Sequence, residues 1–176
     1  MRKTIALVAH DNRKKELMEW AYWNREALSE LDIVCTGTTG KLLEQALLNG
    51  TGEETAGDAV TTPADTGAMG TESPGRQELE FNITRLKSGP LGGDQQLGAL
   101  IVEGRIDMMV FFWDPMQPQA HDVDVKALLR ITVLYNVPTA CNRATADFLI
   151  SSSLFHQEYK PKQLNVDDYL QRPIDL

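Results

Sequence analysis

The chain has 176 residues, of which 42% are hydrophobic, enough to close one α/β core and too few for two full-sized domains. Its formal charge of −8 and its pI near 4.9 disfavour a nucleic acid or an anionic membrane as partner, because both are bound by clustered basic residues. The apolar run near the N-terminus is too short for a secretory signal, and no run is long enough to span a bilayer, so we expect a cytoplasmic protein.

Apolar runs of strand length alternate along the chain with segments of 3.6-residue periodicity. The predicted strands are 4–9, 32–35, 81–87, 107–112 and 137–141. The predicted helices are 12–30, 40–48, 93–103 and 123–135, followed by a short helix after Ala144 and another near 166–171. This order predicts an α/β fold with a parallel β-sheet and helices on both faces, built as one domain over 1–176.

The periodicity also predicts which side chains are buried. The expected inward positions are Leu17, Trp20, Ala21 and Leu28 in helix 12–30, and Val125, Leu128, Leu129, Thr132 and Asn136 along helix 123–135. Cys35 and Cys141 are too few and too isolated for a disulfide framework or a zinc site. Because each ends a strand-like apolar run, we expect two small buried thiols.

Residues 51–78 differ in composition from the rest of the chain. They contain five Gly, two Pro and six Thr, no aromatic residue, and a net charge of −5. Such a segment cannot bury enough apolar surface to offset its ordering entropy, so we expect a flexible surface insert that is dispensable for folding and chemistry.

A polar or glycine-rich cluster follows the end of every predicted strand. In chain order the clusters are His10-Asp11, Thr36–Gly40, Ser88–Asp94, Trp113–Pro115 and Asn142. Because the carboxyl ends of parallel strands lie at one edge of a sheet, and ligands of such sheets bind there, we expect the clusters to form one site.

The cluster Thr36-Gly37-Thr38-Thr39-Gly40 has the composition of a phosphate site. Its glycines let the backbone approach a ligand, while its hydroxyls and the N–H groups at the start of the next helix suit a phosphate dianion. A tight turn in which Thr39 caps a helix accounts for the same residues, and the motif alone does not separate the two.

Asp94 comes immediately before an apolar-periodic helix, where an aspartate is ordinarily an N-cap. Gly92 and Gly93 favour a further role, because they clear space beside the carboxylate. His121 lies just outside helix 123–135, in a neighbourhood too polar for a core histidine. Within that helix start, Asp122 is the expected cap, and Asp124 gains from the helix dipole.

Three further candidate residues each have two predicted roles. Asp11 caps the next helix while also facing the crevice, Lys14 contacts an anion or is a solvated surface side chain, and Asp114 lines the site or only organises a turn. Carboxylates, a histidine, a lysine and a phosphate-type loop in one crevice indicate proton transfer on a phosphorylated metabolite. The sequence has no clear metal-ligand spacing, and it lacks the glycine fingerprints that bind dinucleotides or ATP.

Five segments together resemble the methylglyoxal synthase family. They are AHD at 9–11, TGTTG at 36–40, SGPLGGDQQ at 88–96, FFWDP at 111–115 and HDVDVKALLR at 121–130. The resemblance covers about residues 3–50 and 79–150. The last three segments are highly specific in this order and spacing.

The resemblance implies a flavodoxin-like homohexamer that converts dihydroxyacetone phosphate to methylglyoxal and inorganic phosphate without metal or organic cofactor. It implies that Asp94 is the catalytic base and that His121 moves protons among the substrate oxygens. It places Asp11, Asp114 and Asp124 in the lining of the site, and phosphate contacts at Lys14, Thr38, Thr39, Ser88 and Gly89. The expected substrate contacts also include His10, Thr36 and Gly37, because these residues belong to the clusters that follow the predicted strands.

The chain departs from the family pattern at two places. Residues 51–78 are absent from the compact pattern, and Arg172 is the one counterpart of a C-terminal arginine that the family contributes from a neighbouring subunit. The same fold serves as the allosteric module of carbamoyl phosphate synthetase, so the alternative function is non-catalytic phosphate-ligand binding. Such a module needs the phosphate loop but not Asp94 and His121 together. Either site would also bind free inorganic phosphate, which is the expected inhibitor.

Overall fold

The structure is a computed structural model that describes residues 2–49, 79–118, 120–163, 170–171 and 173. The predicted insert 51–78 and Arg172 lie outside the described residues, as does most of the helix predicted near 166–171. No helix within the described ranges combines the length and the apolar character needed to cross a membrane.

Five strands within these ranges form one sheet in which every neighbouring pair is parallel. The strands are Thr4–Ala9 (β1), Asp32–Cys35 (β2), Asn82–Arg85 (β3), Met108–Phe112 (β4) and Thr139–Ala140 (β5). Their order across the sheet is β3-β2-β1-β4-β5, which confirms the predicted parallel α/β fold. The edge strand β5 is shorter than predicted, because Pro138 has no N–H to donate to a ladder.

The helices follow the predicted order with shifted bounds. They are Lys14–Trp23 (α1), Arg25–Ser29 (α2), Gly37–Asn49 (α3), Gly93–Val102 (α4), Asp122–Leu134 (α5) and Arg143–Ser151 (α6), with 3-10 turns at Asp11–Arg13 and Gly89–Leu91. The predicted helix 12–30 is interrupted at Asn24, whose backbone N–H and side-chain amide both donate to the Trp20 carbonyl, at 3.1 and 2.8 Å. Asparagine competes with the helix for backbone partners in this way, which explains the break.

Helices cover both faces of the sheet, as predicted. In β1, Ile5 and Leu7 share a core cluster with buried residues of α1, α2, α3 and α6. Ala6 and Val8 point to the other face and share a cluster with α4 and α5. Complete burial of a leucine such as Leu7 contributes about 2 kcal/mol. The two clusters therefore fix the strands whose ends carry the site.

Most of the predicted inward positions are buried. Buried side chains include Leu17, Trp20, Ala21, Leu28, Val125, Leu128 and Thr132, and Leu129 packs partly against the core. The prediction for Asn136 is wrong. This residue lies beyond the end of α5 in the left-handed region, with a φ of 51°, and its exposed side chain donates to the Lys162 carbonyl (2.9 Å).

The two cysteines differ in burial. Cys35 is buried at the end of β2, and desolvation raises the pKa of its thiol to about 12. Cys141 is half-buried rather than buried, because it follows the short edge strand β5, and burial raises its thiol pKa as well. Both thiols are therefore protonated at neutral pH.

The strand order reverses between β1 and β4. From the central β1 the chain adds β2 and β3 on one side and β4 and β5 on the other. The His10 N–H donates to the Phe112 carbonyl (3.2 Å) across this point, so the segments after β1 and β4 begin side by side. Ligands of open parallel sheets bind at such a reversal, outside the carboxyl ends of the strands.

Candidate active site

Asp94 is the second residue of α4, and it is 5% exposed. The N-cap of α4 is Gly92, in the left-handed conformation with a φ of 94°, so the interpretation of Asp94 as the helix cap is wrong. The Asp94 Oδ2 is buried and has no hydrogen-bond partner among the described residues. Burial raises the pKa of this carboxyl, although the neighbouring His121 opposes the shift. A carboxylate with a raised pKa and a free oxygen is suited to accept a proton.

His121 is the N-cap residue of α5, just outside the helix as predicted. Asp122, the predicted cap, is instead the first helical residue. The His121 Nε2 lies 3.5 Å from the Asp94 Oδ2, in a contact without hydrogen-bond geometry that is an ion pair only when the imidazole is protonated. The His121 Nδ1 is buried without a hydrogen-bond partner in the described part of the chain.

Gly89 provides the space beside this pair. A Cβ built on Gly89 would lie 2.8 Å from the His121 Nε2 and 3.1 Å from the Asp94 Oδ2. The sequence assigned this role to Gly92 and Gly93, which is wrong. Gly92 supplies the left-handed N-cap, and a Cβ on Gly93 would overlap the backbone of Lys87.

His10 lies buried at the end of β1, beside His121, with 6.2 Å between the ring centroids. Its Nδ1 accepts a hydrogen bond from the Asp114 backbone N–H (3.2 Å). Burial lowers the pKa of His10, so the imidazole is neutral near pH 7. Because its Nδ1 is an acceptor, a neutral His10 carries its proton on Nε2.

Three buried side-chain atoms lack a hydrogen-bond partner among the described residues: His10 Nε2, Asp94 Oδ2 and His121 Nδ1. All three belong to this one group of contacting side chains. Leaving one buried polar group unpaired costs about 1–3 kcal/mol. Three unpaired atoms in one cluster indicate that a ligand supplies the missing hydrogen-bond partners.

Both oxygens of the Asp114 carboxylate already accept hydrogen bonds from other residues of the protein. Its Oδ1 accepts from the Met116 N–H (3.0 Å) and its Oδ2 from the Asn12 side-chain amide (3.0 Å). These two hydrogen bonds, that of Met116 first, lower the pKa of Asp114. The geometry matches the interpretation that Asp114 organises a turn, and the same turn presents its N–H to His10.

The remaining acidic candidates lie around this centre. Asp11 does not cap α1, whose N-cap is Arg13; its carboxylate is 84% exposed and pairs with the Lys14 ammonium at 2.5 Å. That contact lowers the pKa of Asp11. Asp124 is half-buried, its backbone N–H donates to the His121 carbonyl (2.9 Å), and its negative charge raises the pKa of Asp94.

The threonine-rich segment is the first turn of α3, which begins at Gly37 rather than at 40. Thr39 is therefore inside the helix and does not cap it. Its hydroxyl is buried, 3.4 Å from the Thr36 hydroxyl, whereas Thr38 is exposed. In the first turn of this 13-residue helix, the Thr38 and Thr39 N–H groups have no intrahelical partners, which favours an anion at this end.

The same turn packs against the segment after β3. The Gly37 N–H donates to the Lys87 carbonyl (3.1 Å), and a Cβ on Gly37 would lie 3.0 Å from the Ser88 nitrogen. Ser88 in turn precedes Gly89, which borders the Asp94–His121 pair. The predicted phosphate segment and the predicted proton-transfer pair are thus adjacent.

Comparisons with known proteins converge on one family. Residues 76–141 match the family model described as MGS-like domain. The methylglyoxal synthase of Maridesulfovibrio salexigens is 51% identical to this chain over 98% of both proteins. This chain belongs to the methylglyoxal synthase family. The methylglyoxal synthase of Leptospira interrogans is 48% identical over 90% of this chain and 85% of its own.

A solved methylglyoxal synthase structure agrees with the fold. The crystal structure of the enzyme from Elizabethkingia anophelis superposes with a TM-score of 0.77 at 41% sequence identity, and the match covers 99% of this chain and 93% of that one. Membership of the methylglyoxal synthase family and the flavodoxin-like α/β fold, both predicted from the sequence, are confirmed.

Sequence reasoning missed Asn12. Its side-chain amide donates to the Asp114 Oδ2, and it also donates to the Gln117 Oε1. Its one signal in the sequence was its place beside the His10-Asp11 cluster that follows the first predicted strand. Within the described ranges, no group of three or more His, Cys, Asp or Glu side chains is arranged to hold a metal ion.

Proposed function

We propose that this chain is an active methylglyoxal synthase, a carbon–oxygen lyase that converts dihydroxyacetone phosphate to methylglyoxal and inorganic phosphate. The observation that carries the proposal is the buried Asp94 carboxylate, with a raised pKa and a free Oδ2, 3.5 Å from His121 and bordered by Gly89. This arrangement suits removal of a proton from carbon.

In the first step the Asp94 carboxylate takes a proton from C3 of dihydroxyacetone phosphate. The electron pair of the broken C–H bond forms the C2–C3 double bond of an enediolate, and the negative charge moves to the C2 oxygen. Gly89 leaves room for the substrate carbon beside the Asp94 Oδ2, which direct proton transfer requires.

Two histidines serve the substrate oxygens. The neutral His10 donates its Nε2–H to the developing charge on the C2 oxygen, because its Nδ1 is occupied by the Asp114 N–H. His121 moves protons between the C2 and C3 oxygens. The buried and unpaired nitrogen of each ring, Nε2 of His10 and Nδ1 of His121, supports these roles.

In the second step the enediolate expels phosphate. The C3 hydroxyl proton passes to the C2 oxygen, and the electron pair left on the C3 oxygen forms the C3=O double bond. The C2–C3 π pair moves to C1–C2 as the C1–O bond breaks, and the electron pair of that bond leaves with the phosphate. The resulting enol gains a proton at C1 and loses the proton of its C2 hydroxyl to give methylglyoxal. Elimination is faster than reprotonation of the enediolate when the C1–O bond is perpendicular to the enediolate plane. We assign the holding of that conformer to Lys14, Thr36, Gly37, Thr38, Thr39, Ser88 and Gly89.

We assign the phosphate contacts from the charge of Lys14 and from the position of the first turn of α3. The first turn of α3 offers N–H groups and the Thr38 and Thr39 hydroxyls next to Ser88. Lys14, held by Asp11, supplies a positive charge near the same edge of the sheet. Such a cradle also binds free phosphate, which is why we propose product inhibition.

Family membership supports the remaining features of the proposal. They are a single domain, a homohexamer, a cytoplasmic location, and activity without metal or organic cofactor. The alternative of a non-catalytic phosphate-binding domain accounts for the α3 turn, but not for the buried Asp94–His121 pair.

The test is to incubate the purified chain with dihydroxyacetone phosphate and to measure both products. Methylglyoxal and inorganic phosphate should appear in equal amounts. Binding of the substrate without release of either product would instead indicate the regulatory domain. Release of phosphate without methylglyoxal would indicate a phosphatase, and would reject the proposed elimination.

A further inference from the structure

Asn12 links the two segments that meet at the strand reversal. It lies in the 3-10 turn Asp11–Arg13, two residues after His10, and its side-chain amide crosses to the segment after β4. There it donates to the Asp114 Oδ2 (3.0 Å) and to the Gln117 Oε1. Both ends of the turn that follows β4 are therefore tied to the segment that follows β1.

The turn that Asn12 holds in place also determines which ring nitrogen of His10 carries the proton. The Asp114 carboxylate is buried and has two protein partners, the Met116 N–H and the Asn12 amide. The Asp114 backbone N–H, in the same residue, donates to the His10 Nδ1. A shift of this turn would release the Nδ1, and the imidazole proton would then be free to move from Nε2 to Nδ1.

We propose that Asn12 is a positioning residue. Its amide holds the Asp114 turn in the place where the Asp114 N–H keeps the His10 proton on Nε2, the nitrogen that is buried and unpaired in the crevice. The effect on turnover rests on the proposed function. The effect on the tautomer of His10 does not.

Asn12→Leu tests the proposal, because it keeps the size of the side chain and removes both donors. We expect kcat to fall by about tenfold to 100-fold, the upper figure corresponding to a displacement near 1 Å, with KM within about twofold of wild type. Asn12→Asp, which also has no amide donor and adds a charge facing Asp114, should lose at least as much. Asn12→Gln keeps the amide and should retain most of kcat.

The matched control is Asn82→Leu. The Asn82 amide also donates to an aspartate, the Asp32 Oδ1 (2.9 Å), but at the opposite, amino edge of the sheet. This variant makes the same chemical change away from the crevice. Its kcat, KM and histidine spectra should match those of the wild type.

The decisive readout is the ¹⁵N spectrum of the histidine rings, with the His10 signals assigned by their loss in His10→Asn. Wild type should show a protonated Nε2 and an unprotonated Nδ1 on His10, and Asn12→Leu should move population to the Nδ1–H form. An unchanged tautomer in Asn12→Leu and Asn12→Asp would overturn the proposal, whatever happens to kcat. If wild type turned over no dihydroxyacetone phosphate, the proposed function would fail, while the tautomer measurement would still decide the role of Asn12.

Discussion

The His121 Nε2 lies 3.5 Å from the Asp94 Oδ2, and neither that oxygen nor the Nδ1 of the same imidazole has a hydrogen-bond partner among the described residues. A structural ion pair would ordinarily satisfy both groups. Here the two groups that we propose as base and proton carrier face each other, at the end of the sheet where the strand order reverses. This relationship is the basis of the predictions that follow.

The raised pKa of Asp94 predicts a stability effect. A carboxyl whose folded pKa lies above its unfolded value of 3.8 stabilises the fold through its protonated form, and that contribution is lost as the pH rises through the folded pKa. At neutral pH the ionised Asp94 therefore destabilises the fold. Asp94→Asn should melt at a higher temperature than wild type near pH 7, and the difference should shrink toward about pH 4.

Thermal unfolding of both proteins across this pH range checks the prediction. The control is Glu158→Gln, which neutralises an exposed carboxylate paired with Lys160 and should change the melting temperature little at any pH. An Asp94→Asn variant no more stable than wild type at neutral pH would mean that the buried carboxylate is better compensated than its contacts indicate.

Gly89→Ala tests the space beside the pair. The added methyl would lie 2.8 Å from the His121 Nε2 and 3.1 Å from the Asp94 Oδ2, where we place the substrate carbon. We expect kcat/KM to fall about 100-fold, because a displacement near 1 Å at the reacting atoms costs about that much. Steady-state kinetics on a variant with an unchanged circular dichroism spectrum would measure it.

Gly98→Ala is the matched control in α4. A Cβ there would meet only the Ile131 Cδ1, at an ordinary 3.5 Å, and alanine favours a helix over glycine by about 1 kcal/mol. This variant should be fully active and somewhat more stable. Equal activity of Gly89→Ala and wild type would show that the substrate does not enter the gap.

Thr38→Val tests the phosphate cradle. Thr38 is exposed in the first turn of α3, so losing its hydroxyl should leave the fold intact. A hydrogen bond to a charged group contributes about 1.5–3 kcal/mol, so KM and the inhibition constant of inorganic phosphate should both rise by about tenfold or more. Thr84→Val makes the same change on the exposed edge strand β3 and should alter neither. If the two constants moved independently, phosphate would bind elsewhere.

The strands and the edge of the sheet that carries the site were predictable from local patterns. A continuous apolar run such as 108–112 identifies a buried parallel strand without reference to the rest of the chain. Once the sheet is parallel, the residues after each strand must share an edge. This reasoning predicts that Asp94 and the threonine segment lie together, whereas the prediction for His121 comes from its polar surroundings at the start of a helix and from the family resemblance.

The finer geometry depended on contacts that the sequence does not display. Gly89, His10 and Asn12 acquire their roles from partners that are distant in the chain, His121 and Asp114. The helix break at Asn24 arose from a side chain that competes for a carbonyl, where hydrophobic periodicity continues unbroken. Periodicity reports burial, and it does not report which buried atom lacks a partner.

His121→Gln separates the two steps of the proposed reaction. The Asp94 carboxylate remains, so proton removal from C3 should continue, but the substrate oxygens lose their proton carrier. We expect turnover to fall about 10²–10⁴-fold, the range for an acid–base group, while exchange of the C3 proton with solvent persists. Loss of turnover and exchange in equal proportion would instead assign His121 to the first step.

The assignment of Asp94 as the base is tested most directly by deuterium exchange at C3 of dihydroxyacetone phosphate in deuterated solvent. Wild type should exchange this proton, whereas Asp94→Asn should fold, bind substrate, show no exchange and lose about 10²–10⁴-fold in turnover. Asp11→Asn and Asp124→Asn should retain exchange. Wild-type exchange in Asp94→Asn, together with its loss in either of the other two variants, would contradict the account and assign the base to that residue instead.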